Sequence, residues 1–259
     1  MLLNVGFMHR FFENIQLQTG NIIQLNYNNS CKILNVLKLK INQEIYLFNN
    51  TNLEFFSKII KVSNKTVYVE ILNTIPHDLE SPLKIHLAQA IAKHDNMDLI
   101  IQKSTELGVD EITPIISDRT IVKPKNYATK IDHWRKIAIA SCAQCGRNLI
   151  PTINSILSFK DFIKIVNQQP TINEQYLKLI LSPSIVLNEP CLLDNQFNNY
   201  KKIWIIIGPE GGFTPSELNL AEQNQFNLRS LGPRILRSET APIAIISILQ
   251  AKFGDLLKS

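Results

Sequence analysis

The feature that most constrains the fold is an unbroken apolar run that ends at a glycine-rich loop and is followed by a helix start signal. Residues 203–207 read IWIII, which is typical of a strand buried on both faces of a parallel sheet. The loop GPEGG follows at residues 208–212. Thr214, Pro215 and Glu217 then form a capping box with proline at the first helical position, which predicts a helix beginning near Pro215. Strand, loop and helix in this order predict a ligand-binding loop at the carboxyl edge of an α/β sheet.

The chain divides into two regions with different secondary-structure patterns. Short segments rich in Ile, Val, Tyr and Phe, separated by Asn-rich turns, predict a small β domain over residues 1–75. Residues 76–82, with two prolines and acidic side chains, are the predicted linker. In residues 83–259 predicted strands and helices alternate, which indicates an α/β domain with a mostly parallel sheet.

The α/β region is predicted in some detail from apolar periodicity and from helix stop signals. Glycine at 108 and 146 marks the ends of two predicted helices. The predicted strands are 83–91, 109–116, 177–182 and 203–207, with a short segment at 228–232, and the predicted helices are 96–107, 127–145, one after Thr214, and 241–252.

Composition narrows the function classes. Of 259 residues 45% are hydrophobic and no stretch is long and apolar enough for a membrane span, so we expect a globular protein. The N-terminus lacks a basic leader before its apolar residues, so no signal peptide is predicted and the expected location is the cytoplasm. The net charge of +5 is compatible with an anionic partner, and residues 1–75 carry seven Lys and Arg against four Glu.

No metal site or disulfide framework is predicted. The four cysteines are Cys31, Cys142, Cys145 and Cys191, and no second CxxC exists to complete a zinc site with Cys142 and Cys145. That pair lies at a predicted helix end, where the helix dipole disfavours a thiolate, so both are interpreted as packing residues. The five histidines show no metal-ligand spacing.

The nine glycines exclude the usual nucleotide-binding motifs. No two are separated by a single residue, so the chain has no GxGxxG. No GK[ST] follows any glycine, so the chain has no Walker A motif either. Glycines cluster only at 208–212, with Gly232 later, and a proline follows both Gly208 and Gly232. Two such loops at the ends of neighbouring strands predict one pocket built from backbone groups, while two tight structural turns are the alternative.

Two long segments resemble a known family. IIIGPEGGFTPSEL at 205–218 and LGPRILRSETAPIAIISILQAKFGD at 231–255 are similar to the signature segments of the bacterial 16S ribosomal RNA uracil-N3 methyltransferases, which belong to the SPOUT superfamily. Further matches lie at 8–12, 101–120 and 134–147. The resemblance implies a PUA-like β-barrel domain, a methyltransferase domain with a C-terminal trefoil knot, and a homodimer.

The resemblance also implies S-adenosylmethionine as cofactor, bound between three loops. Backbone groups of these loops would contact the adenine edge and their apolar side chains would form the walls. The implied cofactor-binding residues are Leu181, Ser182, Gly208, Glu210, Gly211, Gly212, Leu231, Gly232, Ile235, Leu236 and Arg237.

The implied substrate is a uridine in small-subunit ribosomal RNA, presented on assembled or assembling particles. Arg234 and Arg237 are candidates for stabilising charge on the uracil, with phosphate or salt-bridge duty as the alternative. Glu239 is a candidate base, although bracing of the knot is the preferred interpretation. The expected RNA-facing residues are Arg10, Arg119 and Arg147.

The chain departs from the family pattern at a few positions. Ala143 stands where the family usually has Glu, residues 182–184 are not the commonest version of that loop, and residues 1–7 precede the usual family start, which makes Met8 a candidate start. Two other readings stay open: a ribose 2′-O-methyltransferase of the same superfamily and a non-catalytic RNA-binding protein. The 2′-O branch normally has an Asn-containing last motif, and RILRSETAPIAIISIL at 234–249 has no Asn.

Overall fold

The structure is a computed structural model that describes residues 9–93, 95–122, 126–169, 176–183 and 200–257. Four positions of the patterns described above lie outside the described residues: Met8, the proposed start; His94, one of the five histidines; Ser184, the last residue of 182–184; and Cys191. The chain forms two compact units. Unit 1 contains the residues up to Glu80 together with Cys142–Ile150, and unit 2 contains Ser81–Ser141 and the chain from Pro151 onward.

Unit 1 is built on a five-stranded sheet. The sheet order is β1-β3-β4-β5-β2, and only the pairing of β1 with β3 is parallel. Alternate residues of the long strands β4 and β5 turn inward, so the core collects Ile and Val side chains from one sheet face. The elements are β1 (Arg10–Phe12), β2 (Ile22–Gln24), α1 (Tyr27–Cys31) continuing into a π-helix (Lys32–Leu37), β3 (Glu44–Phe48), β4 (Leu53–Ser63) and β5 (Thr66–Pro76).

Residues 142–150 belong to unit 1, which the sequence analysis did not anticipate. Arg10 Nε donates to Glu54 Oε1 at 2.8 Å, and Arg10 Nη1 donates to the carbonyl of Cys142 at 3.0 Å. Arg147 Nη2 donates to Glu80 Oε2 at 2.6 Å. Removing one partner of a buried ion pair typically costs about 3–5 kcal/mol. The Arg147–Glu80 ion pair and the hydrogen bond from Arg10 to Cys142 therefore tie the segment into unit 1.

Unit 2 contains a sheet in which every described pairing is parallel. Its order is β12-β10-β11-β6-β7-β8, and β9 also pairs with β7. The mostly parallel α/β fold predicted from the sequence is confirmed. The elements are β6 (Lys84–Ala90), α2 (Asn96–Glu106), β7 (Glu111–Ile116), α3 (Tyr127–Cys145), which ends in the segment of unit 1, β8 (Thr152–Ile153), β9 (Leu157–Ser158), α4 (Phe159–Gln168), β10 (Tyr176–Leu181), β11 (Lys202–Ile207), α5 (Pro215–Gln223), β12 (Asn227–Arg229) and α6 (Thr240–Lys252).

The apolar run at residues 203–207 and the capping box at Thr214 form β11 and the start of α5. Strand β11 lies between β10 and β6, and its residues from Ile203 to Ile207 are buried. The Thr214 side chain accepts from the backbone N–H of Glu217, and Glu217 Oε2 accepts from the backbone N–H of Thr214 at 2.8 Å. Both predictions are confirmed.

The topology brings three loops to one edge of the sheet. Leu181 at the end of β10 pairs with Ile207 at the end of β11 and with Arg229 at the end of β12. Because the strands are parallel, the chain leaves all three at the carboxyl edge, where open α/β sheets bind their ligands. In the described part of the chain, every helix is too short or too polar to cross a bilayer.

Candidate active site

A cavity of about 410 Å³ lies at the carboxyl edge of the unit 2 sheet. Cavities of roughly 300–1,000 Å³ are typical of sites for small molecules and cofactors. Its walls come from the ends of β10, β11 and β12, from the loops that follow them, and from the start of α2. The lining residues include Leu181, Ser182, Pro183, Ile207, Gly208, Pro209, Glu210, Gly212, Arg229, Ser230, Leu231, Arg234, Ile235, Leu236, Arg237, Ser238, Glu239, Ala241 and Asn96.

Most residues that the sequence analysis assigned to the cofactor lie together around this cavity. Gly211 and Gly232 are the two that do not line it, among the residues the structure describes. Gly232 has a φ of +88°, a backbone conformation that favours glycine. The assignment of individual residues to a cofactor remains a prediction, but the structure has gathered its three segments into one cavity.

Two glycines shape the loop that follows β11. At Gly208 an added Cβ would lie 3.0 Å from the ring of Phe213, so this position is tightly packed. Gly212 has a φ of +67°, and an added Cβ would meet no atom within 4 Å. Glycine is therefore needed at 208 for close packing and at 212 for the backbone conformation.

Glu239 is held by its neighbours rather than free in the cavity. Its Oε2 accepts from Asn96 Nδ2 at 3.1 Å and from Ser238 Oγ at 3.2 Å. Its side chain is 14% exposed, and Arg237 Nη1 lies 3.9 Å from its Oε1. These contacts favour the bracing role over a role as base. Sequence analysis missed Asn96, which contacts the cavity from a different part of the chain.

Arg234 and Arg237 are available for contact with a ligand. Both side chains line the cavity, Arg234 is exposed, and the side chain of Arg237 is 85% exposed. Deeper in the wall, burial lowers the pKa of Arg229 from its usual value, although a guanidinium stays charged at neutral pH. The cavity thus carries positive charge both in its wall and at its surface.

The three predicted RNA-facing arginines lie outside the cavity lining, in the described part of the chain. Arg10 and Arg147 lie in unit 1, with side chains 10% and 5% exposed and paired with carboxylates. Burial disfavours the charge of Arg147, but hydrogen bonding and attraction by Glu80 raise the pKa of its guanidinium. Arg119 lies in unit 2 and donates from Nη1 to the carbonyl of Gly211 at 2.9 Å. Their RNA contacts stay a prediction, and the burial of Arg10 and Arg147 favours a structural role for both.

Cys142, the first cysteine of the CxxC pair in unit 1, is packed and protonated. Cys142 is buried, and its Sγ lies 3.6 Å from the carbonyl of Leu149, to which the thiol donates. Burial raises the pKa of Cys142 to about 12. In the described ranges no group of three or more His, Cys, Asp or Glu side chains is placed to hold a metal ion.

Comparison with known proteins gives consistent matches. A family model described as RNA methyltransferase domain matches residues 79–250, and one described as RNA methyltransferase PUA domain matches residues 33–72. The ribosomal RNA small subunit methyltransferase E of Buchnera aphidicola (subsp. Schizaphis graminum) is 40% identical over 95% of this chain and 97% of its own length.

Two solved structures resemble this one closely. A putative methyltransferase from Legionella pneumophila, in complex with the bound cofactor SAM, is 38% identical with a TM-score of 0.84, covering 96% of this chain and 99% of that one. The ribosomal RNA small subunit methyltransferase E of Neisseria gonorrhoeae, bound to S-adenosyl methionine, is 36% identical with a TM-score of 0.84 and the same coverage.

The parallel sheet with its cavity at the carboxyl edge, together with the two matching domain models, defines an RNA methyltransferase with a PUA-like first domain. Identity to the Buchnera relative over nearly the whole chain narrows this class further. The chain belongs to the ribosomal RNA small subunit methyltransferase E family.

Proposed function

We propose that the protein transfers the methyl group of S-adenosylmethionine to N3 of a uridine in small-subunit ribosomal RNA. As a member of its family the protein is an S-adenosylmethionine-dependent methyltransferase of this RNA. The target atom N3 and the roles of individual residues are inferred. The observation that carries the proposal is the cavity that joins the ends of β10, β11 and β12 and has the exposed Arg234 and Arg237 in its lining.

The residues around the cavity fit S-adenosylmethionine. Leu181, Ile207 and Leu231 supply apolar walls suited to an adenine ring. The backbone at Gly208 and Gly212 is not covered by a side chain of its own, so its polar groups can contact a ligand closely. Glu210 adds a carboxylate at the edge of the cavity. In a site of this kind, apolar side chains pack on the faces of an aromatic ring, and backbone N–H and C=O groups hydrogen-bond to its edges.

The reaction asks for positioning and charge stabilisation. When bound, S-adenosylmethionine supplies a methyl group made electrophilic by its sulfonium. The uracil N3–H loses its proton to solvent water, N3 forms a bond to the methyl group, and the sulfur keeps the electron pair of the broken sulfur–methyl bond as the thioether product leaves. Arg234 and Arg237 can donate to the carbonyl oxygens of the uracil and stabilise the negative charge that proton loss leaves there. Glu239, through its bonds to Asn96 and Ser238, holds the loop that carries both arginines.

RNA contact by unit 1 is supported by its surface charge. The helical segment of unit 1, its long strand β4 and two of its turns carry exposed lysines, which are the side chains that phosphate binding uses. Two of these lysines also lie over aromatic rings. The exposed lysines are Lys32, Lys38, Lys40, Lys61 and Lys65.

We also infer that the protein is a homodimer, that its second domain contains a trefoil knot, and that it works in the cytoplasm. Helix α6 is apolar nearly all round, yet Ile243, Ala244 and Ile248 remain partly exposed on it. A second copy would cover this surface, because soluble monomers rarely leave such a face uncovered. The test for the dimer is the mass in solution, with Ile248→Lys expected to produce the monomer.

A methylation assay tests the main proposal. Purified protein and S-adenosylmethionine are incubated with small ribosomal subunits from a strain that lacks the gene, and the RNA is digested to nucleosides for mass spectrometry. We expect 3-methyluridine with the wild-type protein and with Lys160→Ala, which removes an exposed charge on α4. We expect little or none with Arg237→Ala.

Two outcomes would overturn the proposal. A ribose-methylated nucleoside would identify a 2′-O-methyltransferase. No product, despite measured binding of S-adenosylmethionine and of the particle, would exclude this substrate. Protein-free ribosomal RNA offered in parallel distinguishes a requirement for the assembled particle from a failure of the chemistry.

A further inference from the structure

The glycine loop, residues 208–212 after β11, is contacted from the direction of β6 and β7, away from β10 and β12. Strand β11 has β10 and then β12 on one side, and β6 and then β7 on the other. The ends of β10 and β12 line the cavity. The loops after β6 and β7 instead contact the glycine loop directly. The backbone N–H of Lys93 donates to Glu210 Oε1 at 3.1 Å, and Arg119 Nη1 donates to the carbonyl of Gly211 at 2.9 Å.

Arg119 lies on a rigid turn that follows β7. The backbone N–H of Thr120 donates to the carbonyl of Ser117 at 3.0 Å, and the backbone N–H of Ser117 donates to Thr120 Oγ1 at 2.9 Å. Ser117 and Thr120 are both buried. The backbone of Arg119 is therefore fixed although its side chain reaches the surface.

The same turn is attached to the start of α5. The backbone N–H of Asp118 donates to Glu217 Oε1 at 2.9 Å, and the other oxygen of this carboxylate accepts from the backbone N–H of Thr214. Glu217 is 4% exposed, so both bonds are shielded from water. The turn and the first residues of α5 are thus joined by hydrogen bonds. Along the chain, Gly211 lies between the end of β11 and the start of α5.

Gly211 faces Arg119. A Cβ added to Gly211 would lie 3.5 Å from Cβ and 3.6 Å from Cδ of Arg119, so the arginine stem lies alongside the bare backbone of the glycine. Glu210 and Gly212 line the cavity, whereas Gly211 is not one of its described lining residues. Glu210 and Gly212 therefore line the cavity, while Gly211 between them contacts Arg119 instead.

We propose that Arg119 is a positioning residue for the cofactor site, acting through the carbonyl of Gly211. By holding this carbonyl, the guanidinium keeps the loop in the conformation in which Gly208, Glu210 and Gly212 line the cavity. The inference rests on the proposed function, because it takes this cavity to be the site of S-adenosylmethionine. A hydrogen bond from a charged donor is stronger than a neutral one, and its loss loosens the loop before the cofactor binds.

The competing role for Arg119 is direct contact with an RNA phosphate. The two roles give different signatures. Loss of a phosphate contact weakens RNA binding and reduces the slope of log Kd against log salt concentration by about one. Loss of the hydrogen bond from Arg119 to the carbonyl of Gly211 weakens binding of S-adenosylmethionine in the absence of RNA and leaves that slope unchanged.

The experiment uses calorimetry on the full-length protein with S-adenosylmethionine alone, and RNA binding at several salt concentrations. The variants are Arg119→Ala, Arg119→Lys, which keeps the charge without the planar fork, and Lys160→Ala as a control for loss of one surface charge. We expect the Kd for S-adenosylmethionine to rise about tenfold in Arg119→Ala, by a smaller factor in Arg119→Lys, and less than twofold in Lys160→Ala.

Each result has a distinct meaning. An unchanged Kd for S-adenosylmethionine in Arg119→Ala, or a salt slope reduced by about one, would overturn the positioning role. If the wild-type protein itself fails to bind S-adenosylmethionine, the proposed function fails and the inference fails with it. Thermal unfolding of each variant separates loss of binding from loss of folding, and graded recovery in Arg119→Lys is a result that misfolding would not produce.

Discussion

Acidification should destabilise unit 2 through one buried histidine, His86 on β6. Its Nε2 lies 2.7 Å from Thr113 Oγ1, and its Nδ1 lies 3.5 Å from Glu111 Oε2. The ring is 5% exposed and meets the ring of Phe162 edge to face. Burial lowers the pKa of His86 to about 4; Glu111 opposes this shift and Lys202 adds to it. Glu111 is too exposed to outweigh the cost of burying the imidazolium.

The sign and size of the effect follow from these values. Between pH 6.5 and about 4 the unfolded chain binds a proton at His86 that the folded protein does not. The contribution to stability is therefore complete above the unfolded pKa of 6.5, and it is lost as the pH falls through this window. A pKa difference of about 2.5, at about 1.4 kcal/mol per unit, corresponds to a loss on the order of 3 kcal/mol.

Urea unfolding at pH values from about 7.5 to 4.5 measures the effect. Both tryptophans, Trp134 and Trp204, lie in unit 2, and Trp204 pairs with His86 across the sheet, so their fluorescence reports on the relevant unit. The control is His86→Gln, which can hydrogen-bond Thr113 but does not titrate. We expect the stability difference between wild type and His86→Gln to shrink by about 2–3 kcal/mol over this range. A difference that stays constant would refute the reasoning.

Three further predictions concern packing, capping and chemistry. In Gly254→Ala the new Cβ would clash with Gln250 Oε1, so urea unfolding should show a loss of about 1–3 kcal/mol, and a loss under about 0.5 kcal/mol would contradict this packing. Thr214→Ala removes the side-chain cap of α5 and should cost about 1 kcal/mol, whereas Thr214→Ser should be near neutral. Arg237→Ala should lower kcat on small ribosomal subunits by about 10²-fold with little change in melting temperature, since this side chain is largely exposed; a changed KM with unchanged kcat would indicate RNA positioning instead.

Much of unit 2 could be predicted because its signals are local. The apolar run at 203–207, the capping box at Thr214 and the residue types of the helix Tyr127–Cys145 each specify their element within a short window. Helix α4 was missed although its signals are also local. Ser158 caps it, and Phe159, Phe162, Ile163 and Val166 share one buried face.

Contacts between distant parts of the chain could not be predicted from periodicity. Asn96 and Glu239 are 143 positions apart, and Arg119 and Gly211 are 92 apart. Nothing in the neighbouring residues of either partner specifies the other. The resemblance pointed to three segments that line one cavity in the structure, but it did not reveal that Gly211 faces Arg119 or that Arg147 is buried against Glu80.

The late return of residues 142–150 to unit 1 has a consequence for how the protein is made. A ribosome that has released only the first 80 residues has not yet supplied Arg147 to pair with Glu80, or Asn148, whose side chain donates to the carbonyl of Leu53 at 2.8 Å. Unit 1 therefore lacks these contacts, and the carboxylate of Glu80 lacks Arg147, while some sixty residues of unit 2 are synthesised. Completion of unit 1 during translation is thereby linked to the emergence of the end of α3.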